Sequence, residues 1–277
     1  MEDKYIQRNT FFADLHKAFS FSLLFAVLGI SLCFCFDNWQ DLIGSFHNPH
    51  IYDEYSTTCV HYFIFNSFSF GGVFMNYFSC LLAAVPYAAN YSLEKQGGMV
   101  IYKISRCGGK NYAFSKLLTA SLSGGAVMLL GGLIFIFALS TYLPLVTPNE
   151  LLTHQVFPYF KELSSGSGLS YFIIILYLAS LSGALWASVG MCISVYLPNP
   201  YVAVCSPMII RFSLVEVGRL ARIPDAFRLD RLINARGILY SEAATLAIIT
   251  VIISLVWCIC YRLFSKGIQA SLDGGIR

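Results

Sequence analysis

Charged residues along this chain are confined to short clusters, and the runs between them set its organisation. No Asp, Glu, Lys or Arg occurs in residues 18–36, 55–93, 117–149, 163–210 or 243–261. A helix rising about 1.5 Å per residue needs roughly 20 residues to cross about 30 Å of hydrocarbon. Every run is long enough, and 163–210 nearly suffices for two crossings. A soluble helix of this length would carry polar residues every third or fourth position on its wet face, and these runs do not. The pattern predicts an all-α, polytopic membrane protein forming a single domain over residues 1–277, with six spans at about 18–36, 69–92, 117–140, 169–196, 201–218 and 242–261. Residues 1–17 mix charge with Phe11, Phe12 and Leu15, as a helix lying in the membrane interface would. The first apolar run is too long for a signal-peptide core and is followed by no small-residue cleavage site, so it is expected to remain as a span.

Loop charge orients the spans. Residues 37–65 hold Asp37, Asp41, Asp53 and Glu54 without a Lys or Arg, and belong outside by the positive-inside bias. Residues 94–116 set Lys95, Lys103, Arg106, Lys110 and Lys116 against a single Glu94, and belong in the cytosol, together with both termini. A second outer segment, 143–167, holds the lone Lys161 and the flexible run Ser164-Ser-Gly-Ser-Gly. Pro198-Asn199-Pro200 separates the fourth and fifth spans, because proline lacks a donor and restricts its predecessor. One conflict arises. Six crossings put 219–240 outside with Arg219, Arg222, Arg228, Arg231 and Arg236. Either the fifth segment is re-entrant and this loop is cytosolic, or the earlier loops fix orientation and the arginines serve outside. The second is preferred, because the first spans usually dominate.

Composition agrees: 57% of residues are hydrophobic and 12% charged, about half the charge of an ordinary soluble domain. Seven of nine cysteines fall in or beside spans, where a thiol packs as a small hydrophobe. The pairs Cys33/Cys35 and Cys258/Cys260 point to different helix faces, which argues against shared metal ligation. Cys59 falls in the outer segment 37–65. Small residues form stripes at Ala179, Gly183, Ala187 and Gly190, and at Gly124, Gly125, Gly131 and Gly132, which lets helix backbones approach closely. Packing within the chain is the first expectation and a subunit interface the second.

Catalytic chemistry has no foothold. Gly109-Lys110 is the nearest approach to a phosphate-binding loop, but Ile104 and Asn111 stand where it needs Gly and Ser or Thr. No zinc-protease, nucleophile-elbow or dinucleotide pattern occurs. No catalytic, cofactor or metal residues are expected, and no nucleic-acid partner. His47, Asn48, Pro49, His50 and His61 read as loop residues, a metal site being the lesser alternative. Charge inside a span is confined to the fifth segment. Arg211 and Glu216 lie five apart, about 140° around a helix, so they do not pair, whereas Glu216 and Arg219 can meet. Arg211 either lines a polar path, touching an anionic group, or sits in wet protein where the helix bends back.

The most informative segment follows the second span. Glu94 closes that span, Gly97-Gly98 turns the chain, 99–106 reads as a short basic helix, and Gly108-Gly109 ends it. A basic helix bracketed by glycines at the membrane edge suits docking to a soluble partner, an ordinary basic loop being the alternative. With the interfacial N-terminal helix, six spans, this acidic-glycine-basic segment and the Pro-Asn-Pro break, nearly the whole chain resembles the permease subunits of type-2 ABC transporters. The resemblance implies that Glu94, Gly98, Tyr102, Arg106 and Gly108 belong to a coupling helix resting on a separate ATPase subunit. ATP and magnesium would then be held by that partner. It also implies a second permease, identical or homologous, and export of a lipid, glycan, drug or peptide. A peptide or amphipathic antimicrobial compound is the expected cargo, and the cell membrane the expected location. The outer arginines depart from the family pattern; Arg222 and Arg228, with Arg211 and Glu216, are candidates for an outer gate, for docking on the acidic segment 37–65, or for contact with lipid headgroups or acidic cargo. A secondary carrier and a non-transporting immunity or sensor subunit are the competing classes.

Overall fold

A computed structural model describes residues 11–47, 59–146, 159, 168–224, 228–234 and 241–274. Asp53, Glu54, His50, Lys161, the 164–167 run and Arg236 lie outside the described residues. All regular structure among the described residues is helical. In chain order the helices are α1 (Phe11–Ala18), α2 (Phe21–Asp37), α3 (Trp39–His47), α4 (Val60–Ile64, running on as a π-helical turn Phe65–Gly71) and α5 (Val73–Ala84). There follow α6 (Asn90–Gln96), α7 (Met99–Cys107), α8 (Gly109–Ser140), α9 (Leu169–Tyr196), α10 (Pro200–Leu220), α11 (Leu229–Ile233) and α12 (Glu242–Gly274). Among the described residues four helices are long and apolar enough to cross a membrane, or up to six crossings if the bent pairs α1/α2 and α4/α5 each count as one.

The fourth and fifth predicted spans coincide with α9 and α10. The second does not. Instead of one helix over 69–92, the chain bends by 74° between the Val60–Ser69 and Val73–Ala84 segments, then turns through 85–89 into α6. The cause is polar and comes from α2. The Asp37 carboxylate accepts the backbone N–H groups of Phe74 and Met75, both at 2.9 Å, and so caps α5. A β-carbon at Gly72 would collide with that carboxylate. Next to it, Asn38 donates to Phe63 O (3.1 Å) and Ser67 Oγ (2.6 Å) and accepts from Asn66 Nδ2 (2.9 Å), fixing the π-helical turn. The first predicted span, 18–36, matches α2 to within about three residues, and a 46° bend at its start sets off α1, the described part of the expected interfacial helix, as a separate short helix. The helices that contain the third and sixth predicted spans are longer than those spans, α8 opening at Gly109 and α12 continuing to Gly274.

Helices α8 and α9 form the centre, with the most extensive packing in the molecule. Glycine makes this possible. A β-carbon at Gly124 would lie 2.5 Å from both Ala187 Cβ and Gly183 O, and one at Gly183 would strike the Gly124 carbonyl. Gly131 serves α2 in the same way, because a β-carbon there would lie 2.6 Å from Ile30 Cβ, and Ser31 Oγ donates to Gly131 O at 3.0 Å. Gly190 admits α10, lying where a β-carbon would be 2.6 Å from Ala203 O. The small-residue stripes are therefore spent on packing within the chain. By contrast α10 and α12 are peripheral: only 28% and 22% of their most apolar windows are buried, against 50% and 56% for α8 and α9. Their exposed faces carry Phe212, Leu214, Val217, Val251, Leu255 and Ile259, the surface that hydrocarbon tolerates.

Pro200 at the first turn and the Asn199 side chain, which accepts from Tyr201 N at 2.9 Å, start α10 where the sequence breaks. α10 is one continuous helix and does not bend back. It ends in a Schellman turn, with Ile223 N–H to Gly218 O and Arg222 N–H to Arg219 O, both 3.1 Å, and Arg222 at φ 50°.

Two outcomes follow for stability in detergent, read by thermal exposure of buried thiols such as Cys80 and Cys192. Gly124→Val or Gly183→Val should cost about 3 kcal/mol or more, while Gly109→Ala, whose β-carbon would meet only Ile104 at 3.9 Å, should change little. Arg222→Gly should raise stability by about 1 kcal/mol, because glycine relieves the left-handed backbone.

Candidate functional site

Lys116 stands about two turns into α8 with its side chain wholly buried. An isolated ammonium there would cost several kcal/mol, so its partners decide whether the fold is possible. Its Nζ lies 2.8 Å from Asp14 Oδ1 on α1, 2.7 Å from Glu94 Oε1 on α6, and 2.9 Å from the Tyr87 hydroxyl in the turn before α6. Glu94 accepts in addition from Lys103 Nζ on α7 (2.7 Å), from Asn90 Nδ2 (2.9 Å) and, through Oε2, from the Tyr112 hydroxyl (2.8 Å). The Tyr87 and Tyr112 rings lie 5.2 and 5.5 Å from the Lys116 ammonium, close enough for cation–π attraction. Two lysines and two carboxylates sum to zero, so the cluster is neutral as well as hydrogen-bonded.

The electrostatics at Glu94 have one dominant opponent. Burial by itself would raise its pKa, but the Lys116 charge and the hydrogen bonds from Lys103, Lys116 and Tyr112 outweigh it and hold the carboxyl down at about 2. At Lys103 burial pulls the other way too, and the bond and charge of Glu94, then Asp14, carry its pKa above the usual lysine value.

The cluster is anchored on every side. Lys95 donates to Ser271 Oγ at 2.9 Å, joining α6 to the end of α12, and Gln96 Nε2 donates to Pro198 O at 3.2 Å, joining it to the α9–α10 break. Helix α7 lies across this platform. Gly98 at φ 68° opens it and Gly108 at φ 77°, ψ 146° closes it, both left-handed conformations that side chains resist. Open space surrounds both glycines, so the backbone angle alone selects the residue. Val100, Lys103, Ile104 and Cys107 turn toward the body. Met99, Ile101 and Tyr102 are 58%, 65% and 73% exposed, and Ser105 and Arg106 share that outward side.

The residues singled out from the sequence thus separate into two places. Glu94 is the centre of the network, Gly98 and Gly108 bracket α7, and Tyr102 and Arg106 lie on its open face. Arg211 is elsewhere, buried mid-way along α10; Nη1 donates to Cys80 Sγ (3.1 Å) and Nη2 to Asn76 Oδ1 (3.0 Å) and Asn234 Oδ1 (3.3 Å). Arg228 pairs with Asp230 at 3.0 Å and borders the same cavity as Arg211. The proposed gate is not a single cluster, however. Glu216, five residues or about 140° around α10 from Arg211, is taken by Arg219 at 2.7 Å, as their spacing allowed, and Arg222 is exposed in the turn beyond the α10 terminus. Sequence reasoning missed Asp14, Tyr87, Tyr112 and Lys116. Lys116 at the threshold of an uncharged run was the available signal, since a lysine followed directly by a span must find a counter-charge or snorkel.

No known protein family, curated protein or solved structure matches this chain.

Removing one charge from the network should be costly and removing two should be less so. Lys116→Met leaves two buried carboxylates to share Lys103 and should cost about 3 kcal/mol; in the Lys116→Met/Glu94→Gln pair neutrality returns, and the loss should fall well short of the two single losses added together. The Glu94 contribution has a defined pH course. Its folded pKa lies below the ordinary value of 4.5, so the contribution is complete above that pH and is lost as pH falls toward about 2. The stability gap between wild type and Glu94→Gln should therefore close over that window and stay constant from pH 5 to 8.

Proposed function

We propose that the chain is a membrane permease subunit that receives mechanical work from a separate ATPase through α7, in the manner of type-2 ABC exporters. The likeness rests on topology and loop pattern. The observation that carries the reading is the two-sidedness of α7: a face of Met99, Ile101, Tyr102 and Arg106 that the described residues leave uncovered, backed by a side joined through Lys103 to the Glu94–Lys116 network. Aromatic and arginine side chains presented together are the usual anchors of protein interfaces.

The mechanism follows from what holds α7. Displacing it without α1, α6 and α8 would pull the half-buried Lys103 away from the buried Glu94 and Asp14 carboxylates and leave the network one positive charge short. A push on its open face is therefore passed to the spans rather than absorbed locally. The ATP chemistry belongs to the partner, with its magnesium; this chain supplies the docking face and the rigid linkage. Two such permeases tilting together would change which side of a central path is open, a population shift driven by the partner's differential affinity for nucleotide in two states. Lys17, Lys95, Arg106, Lys110, Arg262 and Lys266 belong to chain segments that meet at the α7 end, and the charge bias puts that end, with both termini, in the cytosol of a cell-membrane protein. A peptide or amphipathic antimicrobial compound is the cargo class we favour.

The test is purification of the tagged chain from its own membranes in mild detergent. A phosphate-binding-loop ATPase should co-elute with it, and Tyr102→Ala/Arg106→Glu should release that ATPase, weakening the complex about 30-fold or more. The same variant should keep thermal stability within about 0.5 kcal/mol, as exposed substitutions do. Transport by the purified chain alone would overturn the reading.

A further inference from the structure

Arg211 is 4% exposed and forms part of the wall of a cavity of about 190 Å³. Its other walls are mostly apolar, contributed by Trp186 of α9, Leu214 and Val217 of α10, Ile223 and Ile233. The guanidinium leans on Trp186, with 5.9 Å between its carbon and the ring centroid. Among the described residues its acceptors are all neutral, namely Cys80, Asn76 and Asn234, and all are reached through the two Nη atoms, with none at Nε–H. Among the described residues no carboxylate lies within ion-pair distance of it. The other charges bordering the cavity cancel. Arg228 grips Asp230 through Nε (3.3 Å) and Nη2 (3.0 Å), so among the described lining residues the charge left over is that of Arg211.

We infer that this cavity binds an anionic amphiphile, with a carboxylate or phosphate head on Arg211 and hydrocarbon against Trp186, Leu214 and Val217. The inference is independent of any ATPase partner, since α7 takes no part in it. A buried guanidinium with no carboxylate is an unneutralised charge in a poorly screening environment, and an anion supplies what the chain does not. Apolar walls select the rest of the ligand, because a small inorganic ion would leave them unfilled. An apolar cavity of roughly 150 Å³ holds benzene, so this one takes a head group and the first few carbons. Leu214 and Val217 are more than half exposed, at 53% and 59%, and a longer tail leaves past them onto the apolar outer face of α10.

Trp186 provides the readout. The chain has three tryptophans, and Trp39→Phe/Trp257→Phe leaves Trp186 as the sole emitter. In phosphatidylcholine nanodiscs, at a pH where the acid is ionised, the probe is a fatty acid spin-labelled near its carboxyl end; its methyl ester is the control for partitioning into the bilayer. The acid should quench Trp186 saturably, with half-saturation about tenfold or more below that of the ester. Arg211→Gln should abolish the difference between acid and ester, and Arg211→Lys should keep most of it. Equal quenching by acid and ester in the chain with Arg211 intact overturns the inference, whether or not either variant folds. Phosphatidylglycerol in the nanodisc then separates two sources of the same chemistry: competition with the acid assigns the site to a lipid headgroup, and an unshifted acid curve assigns it to a free amphiphile.

Discussion

Burial of Lys116 is the constraint around which one end of this molecule is arranged. An ammonium with no solvent exposure is tolerable only if counter-charges reach it, and they come from two different helices, Asp14 on α1 and Glu94 on α6. Having been buried in turn, Glu94 needs its own donors, which Lys103, Asn90 and Tyr112 supply. Four helices from distant parts of the chain are thereby required to meet at one point. A hydrophobic cluster of Tyr87, Tyr91, Leu117, Met191 and Phe264 could hold them together loosely, but apolar contact does not fix register. Directional bonds between opposite charges do, and this places α7 at one height and angle relative to the spans.

The two deeply buried cations contrast. Lys116 is neutralised within its own chain; Arg211 is hydrogen-bonded only to neutral groups. The first arrangement is closed, because every change to it leaves a charge unpaired. The second is open, because its remaining donor capacity faces a cavity. The same side-chain chemistry, a long cationic stem taken out of water, therefore acts as a rigid joint at one end of the bundle and as a recognition element midway along α10.

Much of this was legible in the sequence, and the limits have identifiable causes. The uncharged run 163–210 and the Pro198-Asn199-Pro200 break located α9 and the start of α10 within a residue or two, because apolarity and proline punctuation are local properties of the chain. The glycine brackets of α7 were legible because left-handed backbone selects glycine directly. The second span was misplaced because the bend there depends on Asp37, thirty-five residues before the Gly72 it presses against; no local pattern records that contact. The network was invisible for the same reason. Asp14 looked like one charge of an interfacial helix and Lys116 like one more basic residue in a loop, since their distance of 2.8 Å appears only once α1 and α8 are packed. Pairing across 102 positions is a property of the fold, and sequence spacing carries no trace of it.

The close glycine contacts and the ion network together determine where this molecule can yield. Through Lys103 and Glu94, α7 is held to α8, and through Gly124 and Gly183 α8 is held to α9 at a separation that leaves no room for a side chain. Surfaces packed so closely cannot slide past one another gradually, because each small displacement loses contacts before new ones form. A force on α7 therefore moves α6, α7, α8 and α9 as one body. Compliance must reside where burial is least, in α10 and α12, whose exposed apolar faces can change neighbours without uncovering polar groups. The Arg211 cavity lies on that boundary, with Trp186 on the rigid side and Leu214 and Val217 on the compliant one. An occupant there touches both parts at once, so it biases the position of one against the other to the extent that it binds their arrangements unequally.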